Sequence, residues 1–281
     1  MINCAQILAW SAWAPGLADQ AAWLAALRTH GADFGLLSSE YAPLNAAEPK
    51  APAVLDPPML RRRLSPLGRA AAEAAAPLLA AAEDKNLPWV YASRWGDLQL
   101  AVDSLESVAA GGTVSPAAFS TSVHNAPPAL LSIALGHTGN LTALAGGPFS
   151  LEAAFESAVG LLFEAPQVLL ICADLKPPVQ TNAAGVTHAV GLLLGRQHET
   201  ADPDQWREAC AKGPYAALTT RPLSASETPD NRLDTLGGSS PALEVLAWLL
   251  GSDDRTFTHF DRHAANIWAK TSRLEAETRH P

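Results

Sequence analysis

The stretch FSTSVHNAPPALLSIALGHTGNLTALAGGPFSLEAAFESAVGLLF, residues Phe119 to Phe163, decides how the rest of the chain is read. Ser120 to Asn125 reads as a polar turn, Pro127 to Leu135 as an apolar helix, Leu141 to Ala145 as a short strand, and a second apolar helix opens at Pro148. A strand that passes through a glycine pair into a buried helix is where α/β enzymes commonly hold a nucleophile, because the first amides of the helix stabilise developing negative charge. Here the bend is present and an obvious nucleophile is not: the run is Gly146, Gly147, Pro148, Phe149, Ser150. It also lacks the Lys and the spacing of a phosphate loop.

Outward from this stretch, strands alternate with helices. Ile2 to Trp10 reads as a strand buried on both faces, closed by Trp13 to Gly16, and Asp19 to Arg28 as a short helix. Residues 31 to 58 form a surface excursion. Met59 to Glu83 is an alanine-rich helix that Pro66 and Pro77 should break or kink. Pro88 to Ser93 is a strand, Asp97 to Val108 a helix ended by Gly111 and Gly112, and Gln167 to Ala173 a strand with no polar face, hence central in a parallel sheet. Val186 to Gly195 and Tyr215 to Thr219 are further strands. Pro203 to Ala211 reads as a helix and Ser224 to Gly238 as a polar loop. A strong helix runs to Leu250 from Ser240 as N-cap and Pro241 at its first position, and Arg255 to Phe260 and Ala264 to Ala269 close the chain as strands. The pattern indicates a layered α/β fold.

Composition narrows the function. The 281 residues are 48% hydrophobic and 17% charged, enough to bury a substantial core. A formal charge of -9 argues against a nucleic-acid surface, and the one basic run, Arg61, Arg62 and Arg63, suits a solvated or partner-facing helix start. Cys4, Cys172 and Cys210 form no CxxC pair and leave an odd count, which fits a reducing compartment rather than a disulfide framework or zinc ribbon. The N-terminus has no basic region of a signal peptide and no run long enough to span a bilayer, so a cytoplasmic protein is expected.

The candidate chemistry is sparse. Ser120, Ser122 and His124 lie within STSVHNAP, where a Ser and a His two apart on an extended segment point the same way; the same residues suit turn capping. His137 sits between helix and strand, Ser150 at the opening of the second helix, and Asp174 at the carboxyl end of a buried strand, where it either faces a ligand or holds the turn before Pro177 and Pro178. Cys172 reads as an inert core thiol. His188, His259 and His263 share no metal-ligand spacing, so neither metal nor cofactor is expected.

These blocks carry a resemblance. WSAWAPG (Trp10 to Gly16), MLRRRLSPLGR (Met59 to Arg69), YASRWGDL (Tyr91 to Leu98), SPAAFSTSVHNAPPALLSIALG (Ser115 to Gly136) and VLLICAD (Val168 to Asp174) resemble the N-terminal half of the beta-ketoacyl synthases in the thiolase-like superfamily. More narrowly, the chain resembles the small homologues labelled chain-length factors. The likeness covers most of residues 1 to 195 and thins beyond to PALEVLAWLLG (Pro241 to Gly251). It implies one ketosynthase-like domain over residues 1 to 281, with 196 to 281 a divergent completion, and a thiolase-like layered fold whose mixed, mostly buried sheet lies between helices.

Carried over residue by residue, the family's nucleophilic Cys falls at or beside Pro148, among residues without a thiol. The two histidines of the family's second half have no counterpart, although LGHTGNLTALAG around His137 echoes one of its motifs. The resemblance therefore implies a catalytically silent accessory subunit of a fatty-acid or polyketide-type pathway, such as the aryl polyene pigment clusters. Its expected partners are a ketosynthase subunit, an acyl carrier protein or both, in a homo- or heterodimer, with Arg61 to Arg63 as a docking face. Two alternatives stand beside it: an acyl-thioester hydrolase or acyltransferase using Ser122 or Ser150 with His124 or His137, and a self-associating scaffold.

Overall fold

A computed structural model describes residues 3–30, 50, 58–183, 185–196, 215–224, 226–227, 240–260, 264–272 and 274. The expected helix at 203–211, His263 and Cys210 lie outside the described residues, as do all of the surface excursion but residues 50 and 58 and most of the loop at 224–238. The elements run β1 (Asn3–Trp13), α1 (Gln20–His30), α2 (Pro58–Arg63), α3 (Pro66–Ala81), β2 (Trp89–Ala92), α4 (Leu98–Ala109), α5 (Pro116–Thr121), α6 (Ala126–Leu135), β3 (Leu141–Leu144), α7 (Ser150–Leu161), β4 (Gln167–Asp174), β5 (His188–Gly195), β6 (Tyr215–Pro222), α8 (Pro241–Gly251), β7 (Thr256–Phe260) and β8 (Ala264–Lys270).

All eight strands form one sheet in the order β3-β2-β4-β5-β1-β6-β8-β7. Only β2 pairs in parallel, with β3 and with β4. The remaining pairs are antiparallel, including β4 with β5 and β1 with both β5 and β6. The sheet is therefore mixed, and β4 is central without being in a parallel sheet. Its lack of a polar face has another cause: both faces are covered. Val168, Leu170 and Cys172 join one core with Trp10, Phe155 and Leu246, while Leu169, Ile171 and Ala173 join another with Leu67, Ala74 and Tyr91. Successive side chains of a strand point to opposite faces, so a strand clad on both sides needs apolar residues throughout.

One layer is α3 with α6; its alanines Ala70, Ala71, Ala74 and Ala75 are all buried and let the helix lie close on the sheet. A Cβ on Gly191 of β5 would stand 2.7 Å from Leu78 Cδ1 and 2.9 Å from the Ala74 carbonyl. Pro66 does end the preceding helix, starting α3 as its first residue behind the N-cap Ser65, whose hydroxyl accepts from Gly68 N. Pro77 does not end α3, which continues to Ala81; it stands on the exposed face, where water can reach the Glu73 carbonyl that a proline cannot pair. The other layer holds α1, α7 and α8. At the end of α8 the carbonyls of Trp248, Leu249 and Ser252 accept from the buried Lys270 ammonium, the charge that a helix C-terminus favours. The segment expected as a polar turn is in part helical, as α5, and α4 buries none of its residues: Leu105 is 69% exposed.

Candidate functional site

The carboxyl ends of β2 and β4 and the starts of α7 and α8 converge on a narrow recess lined by Arg94, Trp95, Pro148, Ser150, Cys172, Asp174, His188 and Ser240. Sheet topology puts them together, since β2 and β4 run side by side with Ala92 opposite Cys172. Gly147 to Phe149 forms a 3-10 turn with Gly147 at φ 58°, and α7 begins at Ser150. Pro148 is half-buried at this mouth. The Ser150 hydroxyl is committed to the turn: it donates to Gly147 O at 2.8 Å and accepts from Gly146 N at 3.1 Å.

Asp174 and His188 face each other across the β4–β5 pair. Asp174 Oδ1 accepts from Ser93 Oγ at 2.8 Å and from the amides of Arg94 and Trp95 at 2.8 and 3.2 Å, so it holds the turn after β2 rather than the one before Pro177. Burial raises its pKa, opposed by His188 and these hydrogen bonds. Burial lowers that of His188, against the pull of Asp174. His188 Nδ1 lies 2.9 Å from Val186 O and Nε2 2.9 Å from Ser240 Oγ. Ser240 precedes α8 as expected, yet its hydroxyl makes no capping bond to the helix.

Cys172, far from Pro148 along the chain, lines the same recess. Its thiol is nonetheless 1% exposed, with its pKa pushed well up by burial and then by Asp174 and Glu152, which keeps it in the unreactive protonated form.

Behind the recess lies a second buried cluster. His259 on β7 has Nδ1 2.7 Å from Glu152 Oε1 and Nε2 3.1 Å from Glu244 Oε2, and Trp268 Nε1 donates to the same Glu152 oxygen at 3.2 Å. Burial alone would lower the imidazole, but the hydrogen bonds to Glu152 and Glu244 and their charges carry its pKa up to about 9. His259 is thus an imidazolium that ties α7, α8 and β7 together. Among the described residues no group of three His, Cys, Asp or Glu side chains is placed to hold a metal ion.

The other residues singled out from sequence are not brought to the recess as a catalytic pair. Ser122 Oγ donates to Phe119 O at 2.9 Å, and Ser120 Oγ to Ala117 O at 2.8 Å. The ring of His124 packs against Gly96, where a Cβ would approach its Cε1 to 3.0 Å. His137 is stacked on Trp89 with ring centroids 4.0 Å apart, its Nε2 2.9 Å from Leu87 O, at the far end of β2 from the recess. Arg62 and Arg63 are exposed on α2; the side chain of Arg61 lies outside those described. Glu152 and Glu244 carried no signal in the sequence, since each sits in an apolar helix and its partner is set by the strand order.

No curated protein sequence matches the chain. Solved structures share its fold at low identity. A chain of the ketosynthase ApeO in complex with its chain length factor ApeC, from Xenorhabdus doucetiae, matches at 22% identity with a TM-score of 0.63, over 94% of this chain and 98% of that one. A type II polyketide synthase acyl-carrier protein in complex with its ketosynthase gives 12% identity and 0.58, covering 95% and 99%. A beta-ketoacyl synthase from Burkholderia phymatum STM815 gives 14% and 0.54, covering 82% and 67%. The layered α/β architecture is the thiolase-like one of these ketosynthases. The model of the beta-ketoacyl synthase N-terminal domain matches residues 37–268, well over half of the sequence, and the chain belongs to that family.

Proposed function

We propose that the protein is a cytoplasmic, catalytically silent partner subunit of a fatty-acid or polyketide-type ketosynthase system, of the kind that builds aryl polyenes. One observation carries the reading: Pro148 stands just ahead of α7 in the recess, and since the resemblance puts the family's nucleophilic Cys at or beside it, a ring-closed imino acid that cannot attack a thioester is found there. The nearby thiol of Cys172 does not substitute, because burial and the neighbouring Asp174 and Glu152 hold it protonated. The partner role is supported by an apolar surface without an internal function: Leu105 and Val108 on α4, Phe119 on α5 and Ile133 on α6 are all more than half exposed. Structures matched by the fold include a ketosynthase with its chain length factor and another with its carrier protein. Arg62 and Arg63 supply positive charge on a chain of formal charge -9, and an acidic carrier protein is the partner they suit. Affinity capture with a tagged copy in its native cells tests the proposal. Recovery of a ketosynthase or carrier protein is expected; capture of neither, or condensation of malonyl-thioesters by the isolated chain, overturns it. A mass in solution that stays that of a self-oligomer whether or not a ketosynthase is added favours the scaffold reading instead.

A further inference from the structure

The recess beside Pro148 also holds a hydrogen-bonded pair, Ser240 and His188, whose polarity sets it apart from the apolar core around it. Val186 O can only accept, so the 2.9 Å contact at Nδ1 fixes the His188 proton on that nitrogen and leaves the Nε2 lone pair facing Ser240 Oγ at 2.9 Å. The hydroxyl must then donate to the imidazole, which is the arrangement of a serine with its general base. Three further features fit. The hydroxyl is released from the helix it precedes, for the amides of Leu243 and Glu244 return to the Ser240 carbonyl and none takes the side chain. Burial lowers the His188 pKa, which keeps the ring neutral and able to accept a proton at neutral pH. Asp174 lies opposite His188 in the β4–β5 register, where its charge stabilises the imidazolium that forms. His188 and Ser240 are 1% and 8% exposed, and both line the recess, where Arg94, Trp95, Leu175 and Pro148 are the half-buried residues beside them.

We propose that Ser240 and His188 form a nucleophilic dyad that accepts a short acyl group from an activated acyl donor, a thioester or reactive ester. Ser240 Oγ attacks the acyl carbonyl as its proton passes to His188 Nε2; the carbon–sulfur or carbon–oxygen bond breaks, and the leaving thiolate or alkoxide takes that proton from His188. Water then cleaves the serine ester by the same route in reverse, releasing the acid and restoring the hydroxyl. The inference goes beyond the accessory role and does not depend on it: the silence proposed above is of condensation, which needs the missing thiol, and a chain without that thiol can still carry an acyl ester on a serine.

The full chain is incubated with an alkyl fluorophosphonate, which forms a phosphorus–oxygen bond with an activated serine and expels fluoride, and in parallel with p-nitrophenyl acetate. Intact mass and peptide mapping should show one adduct per chain, on Ser240, absent in Ser240→Ala and formed roughly a hundredfold more slowly in His188→Gln, the scale of a lost general base. Folding is checked by thermal melting, and Ser240→Cys gives a second route: its thiol should alkylate with iodoacetamide much faster when His188 is present than in the double variant with His188→Gln. No adduct on the wild-type chain, an adduct that survives Ser240→Ala, or an alkylation rate indifferent to His188 overturns the dyad. None of these outcomes depends on whether a partner protein is captured.

Discussion

Two carboxylates around one imidazolium, with His259 and Glu152 buried and Glu244 partly so, make His259 the residue on which pH acts most directly. Its pKa in the folded chain is about 9 against an ordinary 6.5. A raised pKa means that folding favours the protonated ring, so the stabilisation is complete below about pH 6.5 and is lost as pH rises through about 9. The change amounts to roughly 3 kcal/mol. Urea unfolding midpoints should therefore fall between neutral pH and about pH 10 in the wild type, and the fall should be much smaller in His259→Gln. Truncation to His259→Ala leaves Glu152 buried without its counter-charge and should cost about 3–5 kcal/mol. Cys172 gives the opposite kind of prediction, an absence of reaction. Iodoacetamide mapping at mildly alkaline pH should leave it unmodified in the folded protein and modify it in urea, because burial and the neighbouring carboxylates oppose the thiolate. Neither residue revealed its surroundings in the sequence. His259 stands 107 residues from Glu152 and 15 from Glu244, and His188 stands 52 from Ser240, so only the strand order decides who meets whom.

The elements themselves were far more legible. Apolar runs located the strands, and proline, glycine and serine marked helix boundaries at Pro66, Gly111–Gly112 and Ser240–Pro241. Strand direction was not legible, because burial on both faces produces the same uninterrupted apolar run in a mixed sheet as in a parallel one. Pro77 misleads for a related reason: sequence shows a helix breaker but not which side of the helix it occupies. The alanine face of α3 is where tolerance should be least. Gly191→Ala places a methyl against the Ala74 carbonyl and Leu78, and should lower stability by about 1–3 kcal/mol in denaturant unfolding. The same substitution at Gly160, whose added Cβ would meet nothing within 4 Å, provides the control in the neighbouring layer.

For the whole molecule, the apolar side of α4 and α5 sets apart the parts that hold the fold from those that serve another chain. Leu105→Glu and Phe119→Glu remove exposed apolar groups and should shift stability by no more than about 0.5 kcal/mol. If the proposed ketosynthase partner docks there, the double variant should lose most of its co-purification while its melting temperature stays put. Among the described residues no helix is long and apolar enough to cross a membrane. The position of β1 has a further consequence for biosynthesis. Its Gln6 lies between Gly195 of β5 and Tyr215 of β6, so the ribosome delivers an almost wholly apolar ribbon long before either neighbour exists. Nascent chains halted short of Tyr215 should accumulate on chaperones, and refolding from urea should be slow, because the pairing that closes the middle of the sheet joins β1 to β5 and β6, far along the chain.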